Sequence, residues 1–196
     1  LGTRHELGLS WLLPALEAID APHRTVHLRV SDSDGLLDAL RAGLLDAVIS
    51  SFRITTPGLA YATLHAERYA FVASPALLTV SPMTGPLDSH RHTLLDTHAD
   101  LPLFRYLLDA CEGPEAWAFA RTRWLGTIAA IRQLVLAGRG VAVLPLYYVQ
   151  PDLDAGRLTQ LMPVVEPVQD WFRLVWRRDS ARDGALQQLA TELRGV

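Results

Sequence analysis

Hydrophobic and polar positions in the first third of the chain switch between two periods. From Ser10 to Ala18 the stretch is apolar, with Trp11, Leu12, Ala15, Leu16 and Ile19 at helical spacing. Pro14 has no amide hydrogen, so it must lie in the first turn of that helix or kink it. Thr25–Val30 reads Thr-Val-His-Leu-Arg-Val, the alternation with β-branched residues expected of a strand. Ser33 can cap a helix that carries Leu36, Leu37, Leu40 and Leu44 and breaks near Gly43. Asp46–Ser51 is apolar without alternation, which predicts a short strand with no wet face. Helices alternating with strands predict a parallel sheet under helical cover.

Leu59–Leu64 and Tyr69–Ala73 add two strand candidates. After Pro75 the pattern loosens, with Pro82, Gly85 and Pro86 close together and a polar stretch from Asp88 to Asp100. Ala116–Leu125 predicts two short strands. Thr127 then opens a helix with Ile128, Ile131, Leu134 and Val135 on one face, closed by Gly138. A buried strand over Val141–Leu144 ends at Pro145, a helix over Tyr147–Ala155 stops at Gly156, and Leu158–Leu161 reads as an edge strand. Phe172–Trp176 is the last strand, and Asp183–Arg194 a helix with Leu186, Leu189, Ala190 and Leu193 inward. The expected fold class is α/β, and two successive α/β segments suggest two lobes.

Composition narrows the function. The 196 residues are 49% hydrophobic and 20% charged, an ordinary globular balance. The net charge of −3 and pI near 6.2 argue against nucleic-acid binding by this stretch, and its basic residues, all arginine, are scattered rather than patched. Cys111 is the only cysteine, which leaves no intramolecular disulfide and no cysteine-based zinc site, and fits a reducing cytosol. No apolar run approaches the roughly 20 residues of a membrane span. The chain starts at Leu1 rather than Met, without a signal-peptide pattern, and reads as a fragment.

Four segments carry a resemblance. Leu1-Gly2-Thr3-Arg4 followed by Ser10–Leu16, Leu40–Ile49 with Gly43 and Asp46, Leu136–Pro145 with Gly138 and Gly140, and Leu153–Leu158 with Gly156 stand in order along nearly the whole chain. Together they resemble the effector domain of LysR-type transcription regulators, which has the type 2 periplasmic-binding-protein fold. The resemblance implies a first lobe from residues 1–73 and 174–196 and a second from 74–173, with crossover strands near Ala73 and Arg173 acting as hinges. It also implies a cytoplasmic homodimer or homotetramer, a small-molecule effector in the cleft between the lobes, no cofactor and no membrane partner. DNA would be read by an N-terminal winged helix-turn-helix that is not among these residues.

Positions matching the family's cleft are Arg4, His5, Glu6, Ser31, Ser33, Thr97, Leu125, Gly126 and Thr127. Helices expected to start near Glu6–Ser10, at Ser33 and at Thr127 follow strand ends, where free N–H groups favour anions. Ser33 and Thr127 fit a plain N-cap as well as a ligand contact. Trp11 and Trp124 could form an aromatic wall. Alternating His90 and His92 would share a strand face able to hold a metal, although Pro86 and the polar surroundings favour a solvated loop with surface histidines. Gly8-Leu9-Ser10-Trp11-Leu12 lacks the second glycine of a nucleophile elbow, and Gly138-Arg139-Gly140 lacks the third of a dinucleotide fingerprint. Cys111 with Glu112, Gly113 and Pro114 reads as a turn. Rival readings are a transport-type solute-binding protein and an enzyme on the same fold, for which only His5, Glu6 and His98 could serve as acid or base.

Overall fold

The computed structural model describes residues 1–19, 24–31, 33–51, 54–111 and 117–196, with the side chains of Ser33 and Asp34 left aside. The turn expected at Glu112–Pro114 therefore falls outside the described residues. The chain divides into two compact units, Leu1–Glu67 with Asp170–Val196, and Arg68–Gln169.

In the first unit the strands are β1 (Gly2–Thr3), β2 (Arg29–Val30), β3 (Ala47–Ser50), β4 (Leu59–Glu67) and β10 (Asp170–Arg177), ordered β2-β1-β3-β10-β4. β1 pairs in parallel with β2 and β3, as the alternating helices and strands of the first third predict, while β10 runs antiparallel between β3 and β4 and makes the whole sheet mixed. All of β3 is buried. On one face α3 (Ser33–Arg41) packs Leu36 and Leu40 against Val48, Leu59 and Val175. Elsewhere in the unit Trp11 meets Phe172 at 5.4 Å, and α8 (Asp183–Leu193) buries Leu186, Leu189, Ala190 and Leu193 as expected. The strand expected over Thr25–Val30 shrinks to Arg29–Val30.

The helix expected from Ser10 starts earlier, as α1 (His5–Leu7) and α2 (Leu13–Ile19) joined by a π-helical turn over Gly8–Leu12. Its amide-to-carbonyl step widens there, with Leu13 N–H donating to the Gly8 carbonyl. Pro14 supplies no N–H to the normal ladder immediately downstream, and the wide turn is where the helix absorbs that gap.

In the second unit β5 (Tyr69–Ala73) lies between β8 (Ala142–Pro145) and β9 (Thr159–Gln160), antiparallel to both. β6 (Thr93–Asp96) pairs in parallel with β7 (Arg121–Trp124), and a parallel bridge from Leu94 to Val141 links this pair to the segment leading into β8. Both faces of β5 are covered. Tyr69 and Phe71 enter an aromatic cluster with Phe104, Trp117 and Phe119, while Ala70 and Val72 enter an aliphatic one with Ile131, Val135 and Leu144. The helices are α4 (Pro75–Val80), α5 (Pro102–Leu108), α6 (Ile128–Leu136) and α7 (Leu146–Asp154). Gly138, at φ +69°, ends α6 in the left-handed conformation its lack of a Cβ allows.

Three expectations change here. The loosened stretch after Pro75 contains α4, a 3₁₀ turn over Pro86–Arg91, the buried strand β6 and α5. Among the described residues of Ala116–Leu125 there is one strand, β7, rather than two. The division between units falls after Glu67 and Gln169 rather than near Ala73 and Arg173. Its cause is pairing: Tyr69–Ala73 bonds to β8 and β9, whereas Asp170–Arg173 already bonds to β3 and β4.

Candidate functional site

The nine candidate residues fall into two groups, one on each unit. In the first unit they cluster where β1 and β2 end, the edge at which open α/β sheets collect ligands. Arg4 follows β1 with extended backbone and starts the helix, so His5 and Glu6 occupy its first turn, His5 exposed and Glu6 half-buried. Ser31 continues the β2 pairing, its N–H donating to the Thr3 carbonyl at 3.3 Å. Ser33 begins α3. Arg4 is not a spare cation. Its Nη2 donates to Ser51 Oγ at 3.2 Å and to Glu67 Oε1 at 3.4 Å, and the Glu67 side chain is only 1% exposed. The guanidinium thereby ties the ends of β1, β3 and β4 together. Ser51 and Glu67 were not among the expected residues, since nothing local in sequence joins them to Arg4.

In the second unit Thr97, Leu125, Gly126 and Thr127 converge through the backbone. Leu125 N–H donates to the Asp96 carbonyl at 2.9 Å and Gly126 N–H to the Thr97 carbonyl at 3.1 Å, extending the β6–β7 pairing. Gly126 sits at φ +72°, which turns the chain into α6 without a side-chain clash. Thr127 is the N-cap: its hydroxyl accepts from Ala130 N–H at 3.2 Å. The first-turn amides of Ile128 and Ala129 have no carbonyl partner inside the helix, so this end carries partial positive charge. Trp124, 58% exposed, stands just ahead of the turn. Trp11 is used differently, its ring packed on Phe172 and edge-on to His65 at 5.6 Å.

The residue that organises this second group is one the sequence left in a polar stretch. Asp96 is completely buried at the end of β6. Its Oδ1 accepts from Thr97 N–H at 2.6 Å and Leu103 N–H at 3.3 Å, and its Oδ2 from Phe104 N–H at 2.9 Å. One carboxylate thus fixes Thr97 and caps α5. Pro102, the first residue of that helix, was the available signal.

The metal reading of the same stretch loses its geometry. His90 is exposed in the 3₁₀ turn with Nδ1 2.7 Å from the Leu87 carbonyl. His92 is not a surface histidine but buried, with Nε2 3.4 Å from Ser81 Oγ. They share no strand face, and no group of three His, Cys, Asp or Glu among the described residues could hold a metal. Asp88 is engaged locally: the Thr84 amide, foremost, holds its carboxyl down to about 2. Ser10 lies exposed in the π-helical turn, and His5 and His98, also exposed, belong to different units.

The family model for the LysR substrate binding domain matches residues 1–196. The chain belongs to this family. Among curated proteins, this LysR-type domain is 29% identical over 186 residues to the glycine cleavage system transcriptional activator of Escherichia coli K12, covering 91% of the chain and 58% of that protein. It is 27% identical over 198 residues to the transcriptional activator AmpR of Rhodobacter capsulatus, covering all of the chain and 65% of that protein. It therefore spans less than two thirds of these relatives' length. Among solved structures, the CrgA regulatory domain of Neisseria meningitidis matches with a TM-score of 0.80 at 22% identity, over 99% of this chain and 95% of that one. An OxyR2 regulatory domain of Vibrio vulnificus matches equally, at 0.80 and 21%, over 99% and 93%. The LysR-type effector domain thus has the two-lobed α/β fold of type 2 periplasmic binding proteins. No helix among the described residues is long and apolar enough to cross a membrane.

Proposed function

We propose that this domain senses a small anionic effector and that its occupancy switches DNA binding by a LysR-type regulator, without catalysis. The carrying observation is the family match over residues 1–196, joined by relatives that are transcriptional activators. The effector contacts are Arg4, His5, Glu6, Ser31 and Ser33 from the first unit and Thr97, Leu125, Gly126 and Thr127 from the second. The preference for an anion rests on the helix starts, above all the capped end of α6, because the charge of Arg4 is already compensated by Glu67. Trp124 offers an apolar wall beside that end. A switch of this kind requires only that the effector bind two states with different affinity.

The working form is a homodimer or homotetramer. Leu9 and Leu13 on the first helix and Val30 on β2 are 55%, 41% and 41% exposed, and they give the first unit an apolar face for a partner copy.

Screening small mono- and dicarboxylates by thermal shift, followed by calorimetry, tests the effector reading. Thr127→Ala should weaken a hit by about 0.5–2 kcal/mol, the scale of one hydrogen bond. Loss of the cap should lower stability by about 1 kcal/mol, and melts of the free protein separate the two effects. A cationic effector, or unchanged affinity in Thr127→Ala, would sink the anion reading.

A further inference from the structure

The first unit has a concavity at the opposite ends of the strands that carry Arg4 and Glu67. It encloses about 420 Å³ where α3 ends, β4 begins and β10 finishes, and is lined chiefly by Arg41, Thr56, Gly58, Arg177, Arg178 and Asp179. β4 runs nine residues from Leu59 at this end to Glu67 at the other. At about 3.3 Å per residue, roughly 26 Å separates the concavity from Glu67 and its partner Arg4. Three guanidinium groups face one carboxylate in its lining, so the wall is net positive in a domain whose net charge is negative.

Two of these arginines are held by the backbone. Arg177 donates from Nη1 to the Leu40 carbonyl in the last turn of α3 at 3.3 Å. Arg178 donates from Nε to the carbonyl of Leu59, the first residue of β4, at 3.2 Å. Fixing one N–H of a planar guanidinium orients the rest of its donors at little further entropic cost. The acidic partners are weak holds. Arg41 pairs with Asp38 at 3.3 Å with both side chains about half exposed or more, and Asp179, beside Arg177 at 3.3 Å, is 83% exposed. Pairs this wet contribute little and yield to a stronger anion.

We propose that this concavity binds a phosphorylated small molecule, with the phosphate held by Arg41, Arg177 and Arg178. Forked guanidinium donors match the oxygens of a phosphate bidentately, and three of them suit a dianion better than a single carboxylate. The volume lies within the range of about 300–1,000 Å³ usual for small-ligand sites. Apart from Pro57 and Leu59 the lining is polar, so the remainder of the ligand is polar too, unlike an aromatic acid. This site is independent of the effector reading above.

Pyrophosphate titrated into the domain by calorimetry is the test, with melts confirming that each variant is folded. The expected result is saturable one-to-one binding, weakened at least tenfold by Arg41→Gln and by Arg178→Gln and unchanged by Arg139→Gln, an exposed arginine of the second unit. Arg41→Gln is the cleanest variant, because Arg41 bonds to Asp38 on its own helix. Unsaturable heats at millimolar pyrophosphate, or equal affinity in all three variants, would overturn the proposal. Displacement of pyrophosphate by a short DNA duplex would overturn the small-molecule assignment in favour of a nucleic-acid backbone.

Discussion

Replacing Asp96 with Asn should loosen the Thr97–Thr127 group while leaving side-chain shape almost unchanged. The carboxylate accepts three backbone N–H bonds, from Thr97 and Leu103 on one oxygen and Phe104 on the other. An amide has one acceptor oxygen. Whichever way Asn is turned, its NH₂ meets either the Phe104 N–H or the Thr97 and Leu103 pair, donor against donor. Phe104 is 2% exposed and Asp96 fully buried, so water cannot rescue the orphaned amide. One unsatisfied buried amide costs about 1–3 kcal/mol, and losing charge assistance on the remaining bonds about 1 more. The sum, about 2–4 kcal/mol, should lower the melting temperature by roughly 4–16 °C for a chain of this length. Hydrogen exchange should accelerate at 97–104 and 125–127 before it does in the first unit. A stability within about 0.5 kcal/mol of wild type, with unchanged exchange at those amides, would refute the reasoning.

Other perturbations follow from packing and charge. Gly140→Ala places a Cβ 2.5 Å from the Thr93 carbonyl oxygen and 2.9 Å from Leu95 Cγ, so it should cost at least about 1–3 kcal/mol by denaturant unfolding. Asp152 is buried, which by itself would raise its pKa. The bonds from Arg132 (2.5 and 2.9 Å) and Arg157 (2.8 Å) outweigh that and hold the carboxyl below its ordinary value. Its contribution to stability is therefore full above the unfolded carboxylate range, about pH 4, and is lost as pH falls through the lower folded value. Asp152→Asn should cost stability at pH 7 and progressively less toward pH 2, read from urea midpoints across that range. Leu13→Glu puts a charge on the exposed apolar face and should shift light scattering from an oligomer toward the 21.6 kDa monomer.

Much of the fold was legible because local signals agreed. Tyr69–Ala73 is a strand with the expected bounds, and Thr127 and Gly138 bracket α6 as cap and left-handed stop. Leu186, Leu189, Ala190 and Leu193 point inward from the last helix. The stretch 88–100 was misread because β6 offers only Leu94 and Leu95 as apolar signal, and because Asp96 is buried for its hydrogen bonds rather than for hydrophobicity. A buried carboxylate satisfied by backbone amides is indistinguishable in sequence from a solvated one. Likewise Arg4 looks like a free cation until Glu67, distant in sequence, is brought beside it.

The place of β10 bears on the order in which the molecule can be assembled as it is made. β10 is not an edge strand but lies between β3 and β4, bonded to both. The first unit therefore cannot close its sheet until Asp170–Arg177 has been synthesised, although its other four strands are made before residue 68. The second unit is contiguous from Arg68 to Gln169 and has all its strands by then. A ribosome delivers the chain N-terminus first, yet of these two units the one whose segment begins later is the first able to complete its fold. Until Asp170–Val196 arrive, Leu1–Glu67 hold a sheet that lacks its inner strand, with Leu36 and Leu40 of α3 already set against Val48 and Leu59.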